Sequence, residues 1–170
     1  MSVANSELAL NAAFLQEIKE AETELPSSLL SVEDDLTQFN SSNDAARCCL
    51  GLQRASKTLE RAFLLEEAYG FVELVTVRPQ RMKNTISRTS LSGQTLSPQP
   101  IQDLLIDHRL LFAELLGLSD QVSEWTYCGF LCERIAEVRD RFQTFRERLD
   151  EHDLREERLI AVTSQRSCLV

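Results

Sequence analysis

A chain of 170 residues, 43% of them hydrophobic, is long enough to bury one core, and its few glycines and prolines leave long Leu, Ala, Glu and Arg stretches that favour helix. The net charge of −9 excludes a general nucleic-acid binder, which needs a basic surface to displace counterions. No apolar run reaches the length of a membrane span, and the acidic segment from Met1 to Glu24 lacks a basic n-region, so the expected compartment is the cytoplasm.

Asn5 or Ser6 caps a first predicted helix that runs to Leu25, with Leu8, Leu15, Ile18 and Leu25 on one face, and Pro26 is expected to end it. A shorter amphipathic segment follows from Ser27 to Phe39, and the polar run Asn40 to Asp44 reads as a loop and cap. From Ala45 the next helix carries Leu52, Ala55, Leu59, Ala62, Glu66 and Tyr69 at alternating spacings of three and four. Gly70 is a candidate break, although apolar residues continue to Val77. Residues 78–100 hold Arg78, Arg81, Lys83, Arg88 and three of the four prolines without a helical period. They read as a long mobile connection, either a solvated loop or a basic surface for an acidic partner. A helix from Ile101 to about Leu118, a turn near Ser119-Asp120, a long helix to about Thr163 and a frayed tail complete the chain. The expected organisation is a single domain: a first helical half over 5–77, the loop, a second helical hairpin over 101–163 and a tail over 164–170.

Cysteines occupy positions 48, 49, 128, 132 and 168, an odd number that does not suggest a disulfide framework. Cys128 and Cys132 are one helical turn apart but do not form a C-x-x-C pair, so small core-filling roles are expected. Cys168 lies one place too late for a prenylation box. The segment Leu59 to Glu67 aligns with Leu149 to Glu157: both open on Leu, carry an acid second and a Leu sixth, and close on Glu-Glu. Two hairpins repeated in this way predict an all-α fold, an antiparallel up-down four-helix bundle with pseudo-twofold symmetry.

The two histidines of the chain interrupt apolar seams. One seam reads Leu131, Ile135, Val138, Phe142, Phe145, Leu149, His152, Glu156, Leu159; the other reads Ile101, Leu104, His108, Leu111, Leu115. Ionisable groups on core stripes are costly to desolvate unless they are paired or bind a metal. Glu66, His108, His152 and Glu156 are therefore the candidate ligands. Two imidazoles and two carboxylates form a mixed N/O set suited to iron, manganese or zinc. The alternative needs no metal: protonated His152 against Glu156, and His108 paired with Glu66, satisfy the same groups as buried ion pairs.

Three segments together resemble the hemerythrin-like (HHE cation-binding) domains. Ala62-Phe63-Leu64-Leu65-Glu66-Glu67 resembles that family's second-helix His-Phe-x-x-Glu-Glu motif, with Ala62 in place of the leading His. Ile106-Asp107-His108-Arg109-Leu110-Leu111-Phe112 resembles the opening of a ligand helix, and the His152-Asp153-Leu154-Arg155-Glu156-Glu157 segment resembles the last one. The resemblance covers about residues 50–160 and implies a four-helix bundle with a non-haem iron site. The chain departs from it by having no histidine before His108. A first-helix carboxylate, Glu22 or Glu33, is a candidate substitute. What the resemblance leaves is half of a site: His108, His152 and Glu156, with Glu66 reaching across. It implies a mononuclear or vestigial centre for iron handling or for oxygen or redox sensing, with Asp107 and Asp153 pointing elsewhere. The competing expectation is a metal-free helical module that binds an unknown protein partner. No G-x-S-x-G, P-loop, dinucleotide fingerprint, H-E-x-x-H or zinc-finger spacing supports an enzyme.

Overall fold

The computed structural model describes residues 3–70 and 99–167, and every regular element among them is helical. Four long helices carry the fold: α1 (Val3–Thr37), α2 (Ala45–Leu65), α3 (Gln99–Cys128) and α4 (Leu131–Ser167). A 3-10 turn, Ser42–Asp44, leads into α2, and a π-helical turn, Glu66–Gly70, follows it. The predicted connection over 78–100 and the last three residues lie outside the described residues, apart from the first turn of α3. No described helix is long and apolar enough to cross a membrane.

The helices touch as their apolar stripes require: α1 packs on α2 and α4, α2 on α3, and α3 on α4. The shared core holds Leu29, Val32 and Leu36 of α1, Leu52 and Leu59 of α2, Leu111, Leu115 and Leu118 of α3, and Val138, Phe142 and Phe145 of α4. Each such side chain contributes about 1.5–3 kcal/mol by leaving water. Between α1 and α2 the polar run behaves as its composition predicts. The Asp44 carboxylate accepts the backbone N–H groups of Asn40 and Ser41, each at 3.1 Å, and these hold its carboxyl below the usual range. Across the bundle, Arg139 of α4 donates from Nε to the Leu36 carbonyl at 2.9 Å, so a cation meets the end of α1 where unpaired carbonyls collect.

Two boundaries differ from the sequence expectation. Pro26 does not end a helix; α1 runs through it. Proline removes one helical donor and costs about 3 kcal/mol in a helix interior. The buried face, however, continues from Ala21 through Leu29, Val32 and Leu36, and packing of that face outweighs the local cost. Hydroxyls of Thr23 and Ser27 donate to the Glu20 and Glu24 carbonyls beside the proline. Ser119-Asp120 is likewise not a turn. Ser119 is buried between Leu118 and Val122, its carbonyl accepts the Ser123 hydroxyl at 2.9 Å, and α3 continues to Cys128. The reversal falls instead at Gly129, whose φ of 77° is the left-handed conformation that favours glycine. There Phe130 N–H donates to the Trp125 carbonyl and Gly129 N–H to that of Thr126, a Schellman closure. Cys128 and Cys132 flank this turn exposed rather than filling a core, whereas Cys48 is buried and its thiol is pushed up to about 11 by desolvation.

A continuous α1 has a direct test. Pro26→Ala is expected to stabilise the protein by about 1–2 kcal/mol, read as a higher urea midpoint at unchanged m-value. A neutral substitution would mean that the helix is interrupted at that point.

Candidate metal centre

At one end of the core the apolar packing gives way to imidazole. Leu104, His108, Leu111 and Leu115 form the buried face of α3, and Phe145, Leu149 and His152 that of α4. The periodicity of both seams is thus realised, and it delivers two wholly buried histidines, 1% and 0% exposed, to a single point. Their Nε2 atoms lie 3.0 Å apart. Phe63 of α2 walls the site, stacked on the His108 ring at 4.0 Å and edge-on to His152 at 5.7 Å.

Carboxylates reach this point from the rim. Glu66 and Glu67 are consecutive, and on an ordinary helix one of them would turn away. They occupy the π-helical turn, whose wider winding changes the phase of the buried face, and both meet His108. Glu66 Oε2 lies 3.4 Å from Nε2, and Glu67 Oε1 lies 3.1 Å from Nδ1. On the other side, Asp107 Oδ2 lies 3.8 Å from His152 Nδ1 and 2.7 Å from Nη1 of Arg155.

With both rings neutral, these distances favour one pair of tautomers. A carboxylate only accepts, so His108 Nδ1–H donates to Glu67 and leaves a lone pair on its Nε2. His152 must then donate from Nε2 to His108, which places its own lone pair on Nδ1. That atom makes no hydrogen bond among the described residues. Burial, and then the adjacent His108, push the His152 pKa down to about 4. Burial also lowers that of His108, against the pull of Glu67. Both rings are therefore neutral at pH 7.

The structure brings three of the four sequence candidates together. Donor atoms of Glu66, His108 and His152 lie within 4.8 Å of one another. Glu156 is half-buried one turn beyond His152 and is not part of that set. Glu33 is exposed, and the side chain of Glu22 lies outside the described residues. Two further expectations are corrected. Asp107 does not point elsewhere, because its position on the α3 flank carries it across to α4. The metal-free alternative placed a protonated His152 against Glu156, whereas burial lowers the pKa of that ring to about 4 and keeps it neutral. Glu67, Asp107, Phe63 and Arg155 were not singled out by the periodicity. The cue for Glu67 was the Glu-Glu pair itself, and for Asp107 the opposite charge three residues after His152.

The donors suit a cation. Two nitrogens bound at about 2.1 Å and separated as these are subtend about 90° at a metal, and Glu66 with His108 about 110°. These angles lie within the range of octahedral and tetrahedral coordination. No family model, no curated protein and no solved structure matches the chain.

The neutral state of the pair has a consequence for stability. In the unfolded chain histidine protonates near pH 6.5, whereas His152 in the fold resists until about pH 4. The stabilisation is complete above pH 6.5 and is lost as the pH falls toward 4. Chelator-treated protein is expected to lose about 1–2 kcal/mol through this ring between pH 6.5 and 5, offset in part by Asp153, whose carboxyl is raised by burial to about 6 and which stabilises the fold as it protonates. Urea titrations should show that His152→Leu flattens this slope; an unchanged slope in the variant would contradict neutral burial.

Proposed function

We propose that this protein is a small metal-binding bundle in which Glu66, His108 and His152 hold one first-row divalent ion, iron, manganese or zinc. The observation that carries the proposal is the convergence of two buried imidazoles, of which His108 is paired on its far side with Glu67 and His152 faces Asp107 there at 3.8 Å without a hydrogen bond. His108 Nδ1 faces Glu67 and His152 Nδ1 faces Asp107, while both Nε2 atoms converge on one point. Metal-ligating histidines are held in this way: the outer carboxylate fixes the ring and the tautomer and raises the basicity of the ligand nitrogen. A core histidine that only fills space needs one hydrogen-bond partner, not two convergent rings backed by carboxylates.

The arrangement also supports the finer fold reading, an antiparallel up-down bundle. Arg47 pairs with Asp35 whereas Arg61, further along α2, pairs with Glu24 and Glu20, earlier on α1. His108 meets His152, and Glu114 later on α3 meets Arg148 earlier on α4. Ladders of this kind accompany helices that run in opposite directions. With the resemblance of residues 62–67, 106–112 and 152–157 to hemerythrin-like ligand segments, they point to a reduced member of that class. Ala62 stands where the family carries a ligand histidine, so the proposed centre is mononuclear. Its role is then iron handling or oxygen or redox sensing, because three protein ligands leave coordination positions open. A second reading, a metal-free module kept for its surface, draws on the hydrogen bond by which the two histidines satisfy each other.

Metal content measured by inductively coupled plasma mass spectrometry after anaerobic iron loading separates the two. One metal per chain is expected, absent from His152→Ala and from His108→Ala, together with a metal-dependent rise in Tm that both variants lose. Metal-free protein, with His152→Leu neutral or stabilising, would leave the module reading standing.

A further inference from the structure

We propose that Asp107 is an orienting carboxylate contested by His152 and Arg155, and that Arg155 weakens the centre for metal by holding Asp107 back from the imidazole. The inference rests on the metal-binding reading above and names what regulates that site. The two histidines are not equivalent. His108 already has its outer carboxylate, Glu67, at 3.1 Å. The corresponding atom of His152 faces Asp107 Oδ2 at 3.8 Å, beyond hydrogen-bond reach, and makes no hydrogen bond among the described residues. A fully buried ring nitrogen left in that state costs free energy. The oxygen it lacks is the one taken by Arg155 Nη1 at 2.7 Å.

The chemistry of binding makes this contest matter. In the metal-free pair His152 carries its proton on Nε2, where a metal would need the lone pair. The N–H bond at Nε2 must break and one at Nδ1 must form, with solvent carrying the proton and no change in net charge. A proton on Nδ1 requires an acceptor, and Asp107 is the carboxylate in position. Closing from 3.8 Å to a hydrogen bond means loosening the Arg155 contact. That contact is an ion pair without hydrogen-bond alignment, and the Arg155 side chain is 49% exposed, so water can take the guanidinium at small cost. Arg155 is thus a positioning residue that acts through Asp107, not a ligand.

The test is a zinc competition titration on the full chain, with Zn2+ as the probe, across the wild type, Arg155→Met, Asp107→Ala and the double variant. Methionine keeps the apolar stem of the arginine, and the position is exposed, so folding is preserved. Asp107→Ala is expected to weaken zinc binding about 10- to 100-fold, as loss of an outer carboxylate does. Arg155→Met is expected to tighten it about tenfold alone and by less than about threefold when Asp107 is already alanine. Nitrogen-15 NMR of the imidazoles gives a readout free of metal: Arg155→Met should move the His152 proton from Nε2 toward Nδ1. Zinc binding through His152 that Arg155→Met leaves unchanged or weakens would overturn this inference alone, as would an unmoved tautomer. Failure of all four proteins to bind zinc would overturn it together with the metal reading.

Discussion

Two imidazoles held 3.0 Å apart without access to water impose one requirement on everything around them. Neither ring can take a proton without placing a charge beside the other in a poorly solvated site, and burial lowers both pKa values accordingly. The pair must be satisfied by sharing one proton or by a cation between its nitrogens. The surroundings meet that requirement. Phe63 closes one side and keeps water out, while Glu66, Glu67 and Asp107, each partly solvated, reach in from the rim. An apolar wall with an acidic rim lets carboxylates keep their hydration while their field acts on the buried rings.

The site is one-sided. Its imidazoles come from α3 and α4 and its close carboxylates from the end of α2 and from α3. At the same level α1 supplies Ala21, and α2 supplies Ala62, both buried. The ion pairs from Arg61 to Glu20 and Glu24 tie α1 to α2 there. On the proposed metal reading the three donors are preorganised: the cost of bringing them together is met by the hydrophobic core that fixes α3 against α4.

Much of this was legible in the sequence because buried faces obey the helical period. His108 and His152 sit on seams whose other members, Leu104, Leu111, Phe145 and Leu149, are buried as the spacing requires. Glu66 followed from the same rule. Glu67 did not, since a residue 100° from the buried face should miss the site; only the π-helical turn brings it in, and no periodic template encodes that winding. Asp107 and Arg155 were hidden for a different reason: they flank the seams and meet only once the register of α3 against α4 is known. Pro26 and Ser119-Asp120 misled because local preferences of a few kcal/mol yield to a continuous apolar face. Gly129 followed by Phe130 was the better stop signal, a glycine at the helix end with an apolar residue after it.

The account stands on convergence of the two Nε2 atoms at a cation. X-ray absorption at the metal K-edge of the zinc- or iron-loaded protein reads that directly. The expected spectrum has imidazole multiple scattering from two histidines and light-atom neighbours at about 2.0–2.2 Å. It should drop to one imidazole in His108→Ala. A bound metal with no imidazole scattering, or a spectrum indifferent to both histidines, would contradict the account.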